Sequence, residues 1–188
     1  YINLELISGT NTGNTIWVYD PQAQNYITYQ LGTGAGSLGQ YLHPMQAFLI
    51  KVSSGYSTGT IEFDNAARVH DTTPFYKSTQ TPDRLVIKAT ANGFNDNLYI
   101  QNSSQINDGY NLPSMNPDVP QVFVTDQGND FCIYNVDPIP SNCIDIGFTC
   151  ASDGNYSLSF EEIDFSNYDI TIEDLTTGTS TTVSEGDV

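Results

Sequence analysis

The sequence contains very few basic residues: five Lys and Arg stand against 22 Asp and Glu, giving a formal net charge of −17. A chain this negative repels phosphate backbones and anionic lipid headgroups, so nucleic-acid binding and membrane-surface roles are excluded. No apolar run reaches the roughly 20 residues that a membrane-spanning helix requires, and membrane insertion is therefore not expected. Only two histidines are present, so general-base chemistry would fall to carboxylates.

Charged residues of both signs are also scarce, at 14% of the chain against about 25% in ordinary globular proteins. The surface is therefore expected to consist mainly of Asn, Gln, Ser, Thr, Gly and Tyr. Hydrophobic residues make up 38% of the chain and aromatic residues 12%, which is enough to bury a core. Tyr1 stands where an initiator methionine would, and no signal peptide is recognisable, so we expect a processed or truncated chain.

The dominant hydrophobic period is two, and no window shows a helical period with caps. Segments rich in Val, Ile, Tyr, Phe and Thr, bounded by Gly, Pro, Asn and Asp, predict strands. These segments are 15–19, 47–52, 60–63, 84–89, 97–101, 121–125, 131–136, 143–148, 156–160, 169–173 and 180–184. The chain is predicted to be all-β, with one or two β-sandwich domains of the jelly-roll or immunoglobulin-like type.

Polar, proline-marked segments at 71–74 and 78–82 predict a connection between two parts of the chain. We place residues 1–78 in an N-terminal β piece, truncated at its start, and residues 79–188 in a C-terminal β-sandwich. One continuous sandwich with a long crossover is the alternative. The C-terminal end of the sequence suggests that the sandwich lacks its last strand, which would leave an open edge able to pair with another copy.

Three cysteines lie in the second half of the chain, at positions 132, 143 and 150. If residues 137–142 close a hairpin, Cys132 and Cys143 lie at matching distances from its centre and form a candidate disulfide. The alternative is three small buried hydrophobic side chains. A zinc site is disfavoured, because the spacings are wrong and neither histidine lies near.

Two short catalytic motifs overlap in residues 34–39, but their surroundings fit neither. Gly34, Gly36 and Gly39 match the G-x-G-x-x-G pattern of dinucleotide sites, which requires a helix to follow directly. Pro44 stands where the first turns of that helix would be. The same segment contains a variant of the nucleophile elbow, which also needs the helix. A polar loop is the better interpretation, and we predict no catalytic residues.

Several loops rich in Asp, Asn and Gly offer the oxygen ligands that calcium prefers. Of these, the loop at 126–130 supplies Asp126, Asn129 and Asp130 as candidate Ca²⁺ ligands. The EF-hand pattern is absent, and turns capped by Asx side chains explain the same composition without a metal. Calcium is therefore a candidate ligand and not a required cofactor.

The N-terminal part resembles a stretch found in secreted and surface proteins of Bacteroidetes. The resemblance rests on Ile-Trp-Val-Tyr-Asp at 16–20, on Tyr26, and on Tyr-Leu-His-Pro-Met-Gln-Ala-Phe-Leu-Ile-Lys-Val at 41–52. The family pattern is Y-V-W-N … Y … I-P-P-G-Q-A-F-F-V-K-A, and His43 and Met45 stand where it usually has Pro and Gly. Further pieces follow in the family's order at 61–63, 68, 75–78, 84–85, 93–96, 108–110, 154–158 and 172–178.

In that family the region precedes the C-terminal sorting domain of type IX secretion system cargo, a domain not found in this sequence. The resemblance implies secretion to the extracellular space or the outer cell surface, and a non-catalytic β module within a larger parent chain. It names no ligand. Asp71-Thr72-Thr73 also resembles the O-glycosylation acceptor of these bacteria, which makes Thr72 a candidate glycosylation site.

The leading hypothesis is a structural or adhesive extracellular module without an active site. Its partners would be neighbouring domains of the parent chain, or another copy through strand pairing. The alternative is a carbohydrate-binding module of a secreted polysaccharide-degrading enzyme. Sugar rings stack on flat side chains, and the candidate stacking pairs are Tyr26 with Tyr29, or Tyr41 with Tyr56. A hydrolase would instead need a pocket with two carboxylates about 5–9.5 Å apart.

Overall fold

About half of the described residues lie in β-strands, and most of the others form turns and loops. The structure, a computed structural model, describes residues 1–69, 83–103, 108–137, 143–165, 168–184 and 186–187. The strands of these residues are β1 (Ile2–Asn3), β2 (Ser8–Thr10), β3 (Thr12–Asp20), β4 (Asn25–Gln30), β5 (Tyr41–Leu42), β6 (Leu49–Val52), β7 (Thr60–Glu62), β8 (Arg84–Ala91), β9 (Phe94–Asn102), β10 (Gly109–Tyr110), β11 (Gln121–Asp126), β12 (Asn129–Val136), β13 (Ile146–Thr149), β14 (Ser157–Ile163), β15 (Thr171–Asp174) and β16 (Thr179–Thr182). The predicted all-β, β-sandwich class is confirmed.

Helical structure in the described part of the chain is limited to two short 3-10 helices, Leu4–Leu6 and Asn65–Ala67. Both begin with a side-chain cap: Asn3 Oδ1 accepts from Glu5 N at 3.0 Å, and Asp64 Oδ1 accepts from Ala66 N at 2.7 Å. Neither helix is long and apolar enough to cross a membrane.

The N-terminal part is built around a three-stranded antiparallel sheet with the order β4-β3-β6. The two-stranded pairs β1-β5 and β2-β7 complete this part. Because side chains alternate along a strand, Ile16 and Val18 of β3 face one side of the sheet. They pack there in a cluster whose other buried members are Leu4, Ile7, Tyr29, Leu42 and Ala67.

The C-terminal part contains a seven-stranded sheet with the order β13-β11-β12-β9-β8-β14, and β10 pairs with β12. The pair β9-β12 is parallel, and β15 and β16 form a separate hairpin. Strand β8 is covered on both faces: Leu85 and Ile87 lie in the main cluster of this part, whereas Val86 packs with Ala35 of the N-terminal part. Burial on both faces explains why β8 has a continuous apolar run.

A buried polar network joins the two parts. Gln101 of β9 is fully buried, and its Nε2 donates to Gln30 Oε1 at 2.5 Å and to Asn135 Oδ1 at 2.6 Å. Trp17 Nε1 donates to the carbonyl oxygen of Tyr110 at 3.0 Å. The two parts therefore pack on each other through specific contacts. The predicted boundary near residue 78 lies outside the described residues and stays a prediction.

A buried carboxylate lies at the same junction. Asp96 accepts hydrogen bonds from Asn25 Nδ2 at 2.8 Å and from Val122 N at 2.9 Å. Burial raises the pKa of Asp96 to about 6, although these hydrogen bonds favour the charged form. The junction therefore contains a group whose protonation is coupled to folding.

The predicted disulfide between Cys132 and Cys143 is not formed. Strand β11 lies between β12 and β13, so the strand that contains Cys132 is not paired with β13, the strand that follows Cys143. Cys132 is buried, and its Sγ donates to the carbonyl oxygen of Tyr110 at 3.2 Å, whereas Cys143 is exposed. Both are free thiols, as is Cys150. The prediction failed because it assumed that consecutive strands pair.

The segment after β16 returns to the outer edge of β14. Gly186 N donates to Phe160 O at 2.8 Å, and Phe160 N donates to Asp187 O at 3.1 Å. With a φ of 86° at Gly186, this is the hydrogen-bond pattern of a G1 bulge. The edge of β14 is therefore paired at Phe160, and strand pairing with another copy remains a prediction.

Candidate functional site

The N-terminal part carries an open groove of about 520 Å³ between the end of β3 and the segment around β5. We call it the tyrosine groove. Its lining residues are Tyr1, Val18, Tyr19, Asp20, Pro21, Ile27, Leu38, Gly39, Gln40, Tyr41, Leu42, His43 and Gln46. Residues distant in sequence thus form one surface with an apolar floor, aromatic walls and a polar rim.

The floor of the groove belongs to the N-terminal core. Val18 and Leu42 are buried members of the core cluster, and the half-buried Ile27 and Leu38 pack against it. Tight packing keeps such side chains in fixed rotamers. The floor is therefore a preformed apolar surface.

The walls carry flat aromatic rings with part of their surface accessible. The rings of Tyr1 and His43 meet edge to face, with centroids 4.8 Å apart. Tyr19 and Tyr26 are cross-strand partners on β3 and β4, and their centroids are 5.5 Å apart. Edge-to-face pairs fix ring orientation, so Tyr1 and Tyr19 are held in place by neighbours that leave ring surface open. Tyr41 is half-buried and also lines the groove.

The polar rim is rich in hydrogen-bond acceptors. Asp20 Oδ1 accepts from Gln22 N at 2.8 Å, which fixes the turn after β3. Gln40 Nε2 donates to Asn3 Oδ1 at 3.0 Å, and Gln46 Nε2 donates to Ala47 O at 3.3 Å. Within the described residues, Asp20 Oδ2 and the Oε1 atoms of both glutamines accept no hydrogen bond. The rim therefore presents acceptors to a ligand that supplies donors.

One side of the groove ends in a tight turn over residues 43–46. Gln46 N donates to the carbonyl oxygen of His43 at 3.1 Å, and Met45 has a φ of 63°. Pro44 is the second residue of this turn and Met45 the third. In a type II turn the third residue has a positive φ, which favours glycine. Its side chain is fully exposed. An exposed methionine in a strained backbone conformation has no stabilising role in the fold that we can identify.

The four predicted stacking tyrosines lie in different environments. Tyr41 lines the groove, and Tyr26 supports Tyr19 behind it. Tyr29 is buried, its hydroxyl donates to Glu5 Oε1, and burial together with this hydrogen bond raises its pKa. Tyr56 is exposed but does not line the groove. Tyr29 is therefore unsuitable for stacking, and neither predicted pair forms a platform.

The predicted calcium ligands lie at the tip of the β11-β12 hairpin. Gln127 and Gly128, both with positive φ, form its two-residue turn. Asp126 pairs with Asn129, whereas Asp130 pairs with Thr125 and accepts from its hydroxyl at 2.9 Å. Successive pairs of a ladder face opposite sides, so the three side chains do not converge through the hairpin alone. In the described part of the chain, no three His, Cys, Asp or Glu side chains form a metal-binding group.

A second cleft, of about 490 Å³, lies where the two parts meet. Asp126 and Asn129 line it together with Asp108, Tyr110 and Lys51. Lys51 Nζ lies 3.0 Å from the centroid of the Tyr110 ring, a cation–π contact. Burial raises the pKa of Asp108, whose Oδ1 accepts from Asn135 N at 2.7 Å. We call this the junction cleft.

The remaining sequence motifs do not form sites in the described structure. The loop at 34–39 is followed by β5 and a turn, with no helix to hold a pyrophosphate. Thr72, the candidate glycosylation site, lies outside the described residues.

Comparison with known proteins does not place the chain in a family. No family model, no curated protein and no solved structure matches it. The resemblance to type IX secretion cargo therefore stays a prediction.

Sequence reasoning missed three of the aromatic groove residues: Tyr1, Tyr19 and His43. Tyr19 lies in a segment that was predicted as a strand, but its position beside β5 depends on tertiary packing. The one local signal near His43 was Pro44, because proline favours the second position of the turn that borders the groove.

Proposed function

We propose that the chain is a non-catalytic extracellular module that acts as an adhesin by binding carbohydrate through the tyrosine groove. The observation that supports this most directly is the combination of accessible aromatic rings and unpaired acceptors above an apolar floor. Pyranose rings have apolar faces of C–H groups and a rim of hydroxyl donors. Such a ligand stacks on Tyr19 and Tyr41 and donates to Gln40 and Gln46, so both kinds of surface are satisfied.

The absence of catalysis is part of the proposal. Hydrolysis of a glycosidic bond requires two carboxyl groups, and among the described residues that line the groove Asp20 is the one carboxylate. The hydrolase alternative would have to use the junction cleft, which Asp108 and Asp126 both line. We expect no release of reducing sugar from any polymer that the protein binds. Release that disappears in Asp108→Asn would overturn this part of the proposal.

The extracellular location is supported by the composition and by the resemblance described above. A surface of Asn, Thr, Ser and Tyr with a net charge of −17 remains soluble and resists non-specific association with anionic polymers. Detection of the parent chain in the outer-membrane and culture fractions, and its loss when type IX secretion is disabled, would test this part directly.

The binding proposal is tested by affinity electrophoresis against a panel of soluble polysaccharides, followed by calorimetry on any polymer that retards the protein. Tyr19→Ala and Tyr41→Ala remove rings from the groove. The matched control is Tyr56→Ala, which deletes an exposed tyrosine that does not line the groove. Loss of one stacking ring is worth about 1 kcal/mol or more. We therefore expect the affinity of each groove variant to fall about fivefold or more, and the affinity of the control to stay unchanged.

Two results would count against binding in the groove. Retardation unaffected by Tyr19→Ala and Tyr41→Ala would place the ligand elsewhere, and no retardation by any polymer would favour a structural module. Each measurement is repeated in EDTA. Loss of binding in EDTA would show that calcium takes part, and the variant Asp126→Asn would then test the hairpin tip as its site.

A further inference from the structure

The tyrosine groove has an unbalanced charge. Asp20 lies on its rim, and none of the groove-lining residues is Lys or Arg. The basic side chains whose contacts are described lie elsewhere: Lys51 stacks on Tyr110, and Lys88 Nζ is 3.5 Å from Glu161 Oε1. The described lining of the groove therefore offers no Lys or Arg side chain to an acidic ligand.

The hydrogen bonds of the rim residues also affect which ligand groups the groove can accept. Asp20 Oδ1 accepts hydrogen bonds from Gln22 N at 2.8 Å and from Ala23 N at 3.4 Å, which restrain the carboxylate. The unpaired oxygens of Asp20, Gln40 and Gln46 are all acceptors. A carboxylate or sulfate on a ligand is also an acceptor, so it gains no hydrogen bond from these three oxygens. A neutral hydroxyl donates instead.

We propose that the tyrosine groove selects uncharged glycans and rejects uronic acids and sulfated sugars. This inference rests on the proposed carbohydrate-binding function and names its ligand class. Repulsion between Asp20 and a ligand anion acts at short range within the groove. The net charge of −17 adds a long-range repulsion that salt weakens.

The test compares each neutral polymer with its own acidic form. Soluble β-glucan, mannan and galactan are used as such and after partial oxidation of their primary alcohols to carboxylates, which keeps the backbone unchanged. Affinities are measured by calorimetry at low and high salt. We expect each oxidised polymer to bind at least about tenfold more weakly than its parent, with part of this difference remaining at high salt.

The variant Asp20→Asn tests the residue assigned to this selectivity. Asparagine keeps an Oδ1 acceptor for Gln22 N, so the turn is preserved. Its matched control is Asp174→Asn, which changes net charge equally in another hairpin turn, where Asp174 Oδ1 accepts from Thr176 N at 2.8 Å. We expect Asp20→Asn to bring the oxidised polymer to within about threefold of its parent, and Asp174→Asn to leave the discrimination unchanged.

The outcomes separate this inference from the proposed function. If oxidised and neutral polymers bind equally well, or if the two variants behave alike, selection by Asp20 is overturned while carbohydrate binding stands. If no neutral polymer binds, carbohydrate binding itself is overturned, and the ligand class with it.

Discussion

Replacement of Met45 by glycine is expected to stabilise the protein. Met45 has a φ of 63°, in the left-handed region, and its side chain is fully exposed, so the substitution removes no packing. The left-handed conformation costs a residue with a Cβ roughly 1–2 kcal/mol. Glycine avoids that cost. Its greater backbone freedom stabilises the unfolded state, however, which lowers the free energy of unfolding by about 0.5–1 kcal/mol. The net expectation is a gain of about 0.5–1 kcal/mol, or about 2–3 °C in melting temperature for a chain of this size.

Urea unfolding of the wild type, Met45→Gly and Met45→Ala measures this effect. The alanine variant removes the same side chain but keeps the Cβ, and it should stay within about 0.5 kcal/mol of the wild type. The difference between the two variants isolates backbone strain from loss of the methionine. If Met45→Gly is no more stable than Met45→Ala, the turn is not strained and the reasoning is refuted.

The same variants also connect stability to binding. Strain at an exposed position often marks a functional constraint, and the turn borders the tyrosine groove. If Met45 contacts the ligand, Met45→Gly gains stability and loses affinity for the bound polymer. Equal affinities for the three proteins would show that the methionine has no part in binding.

Three further variants test the fold and its pH dependence. Gly36→Ala should lower the free energy of unfolding by about 2–3 kcal/mol in urea, because φ is 115° and a Cβ would meet the Thr28 carbonyl; wild-type stability would contradict the close approach. Gln101→Leu removes the hydrogen bond to Gln30 across the junction and the hydrogen bond to Asn135 within the C-terminal sheet, and should cost about 2 kcal/mol or more. A double variant with Gln30→Leu should then be less than additive, and full additivity would argue against the network. The pKa of Asp96 is raised to about 6 in the folded protein, whereas an unfolded aspartate titrates near 3.9. Keeping Asp96 charged in the folded state therefore lowers the free energy of unfolding by up to about 3 kcal/mol above pH 6, and this penalty disappears below pH 4. Wild-type stability should therefore rise relative to Asp96→Asn as the pH falls from 6 to 4, and parallel urea-unfolding profiles would refute the shift.

The individual strands were largely predictable because their signals are local. Alternation of apolar and polar residues and the Gly, Pro, Asn and Asp between segments are properties of a few neighbouring residues. Each predicted segment overlaps a strand of the structure, although β13 begins three residues later than its segment. Strands β1, β5 and β10 were missed because two residues are too short to show a period. Strand β4 was missed because its sequence, Asn-Tyr-Ile-Thr-Tyr-Gln, does not alternate cleanly.

Strand pairing was not predictable from the same signals. The prediction of a Cys132–Cys143 disulfide assumed that consecutive strands pair. In the structure β13 pairs with β11, the strand that precedes β12 in the chain. Alternation of apolar and polar residues shows which side chains share a face of a strand. It does not show which other strand pairs with that strand. Pairing depends on how the whole sheet closes around its core.

The sequence by itself determined the all-β class and the acidic, lysine-poor composition, because composition and local alternation carry that information. Only the tertiary structure decided that Tyr29 is buried against Glu5 while Tyr41 lines a groove with Tyr1 and Tyr19. The four are the same residue type with similar propensities, so nothing local distinguishes them. Their exposure is set by the segments that pack over each strand, and those segments lie far away in the sequence.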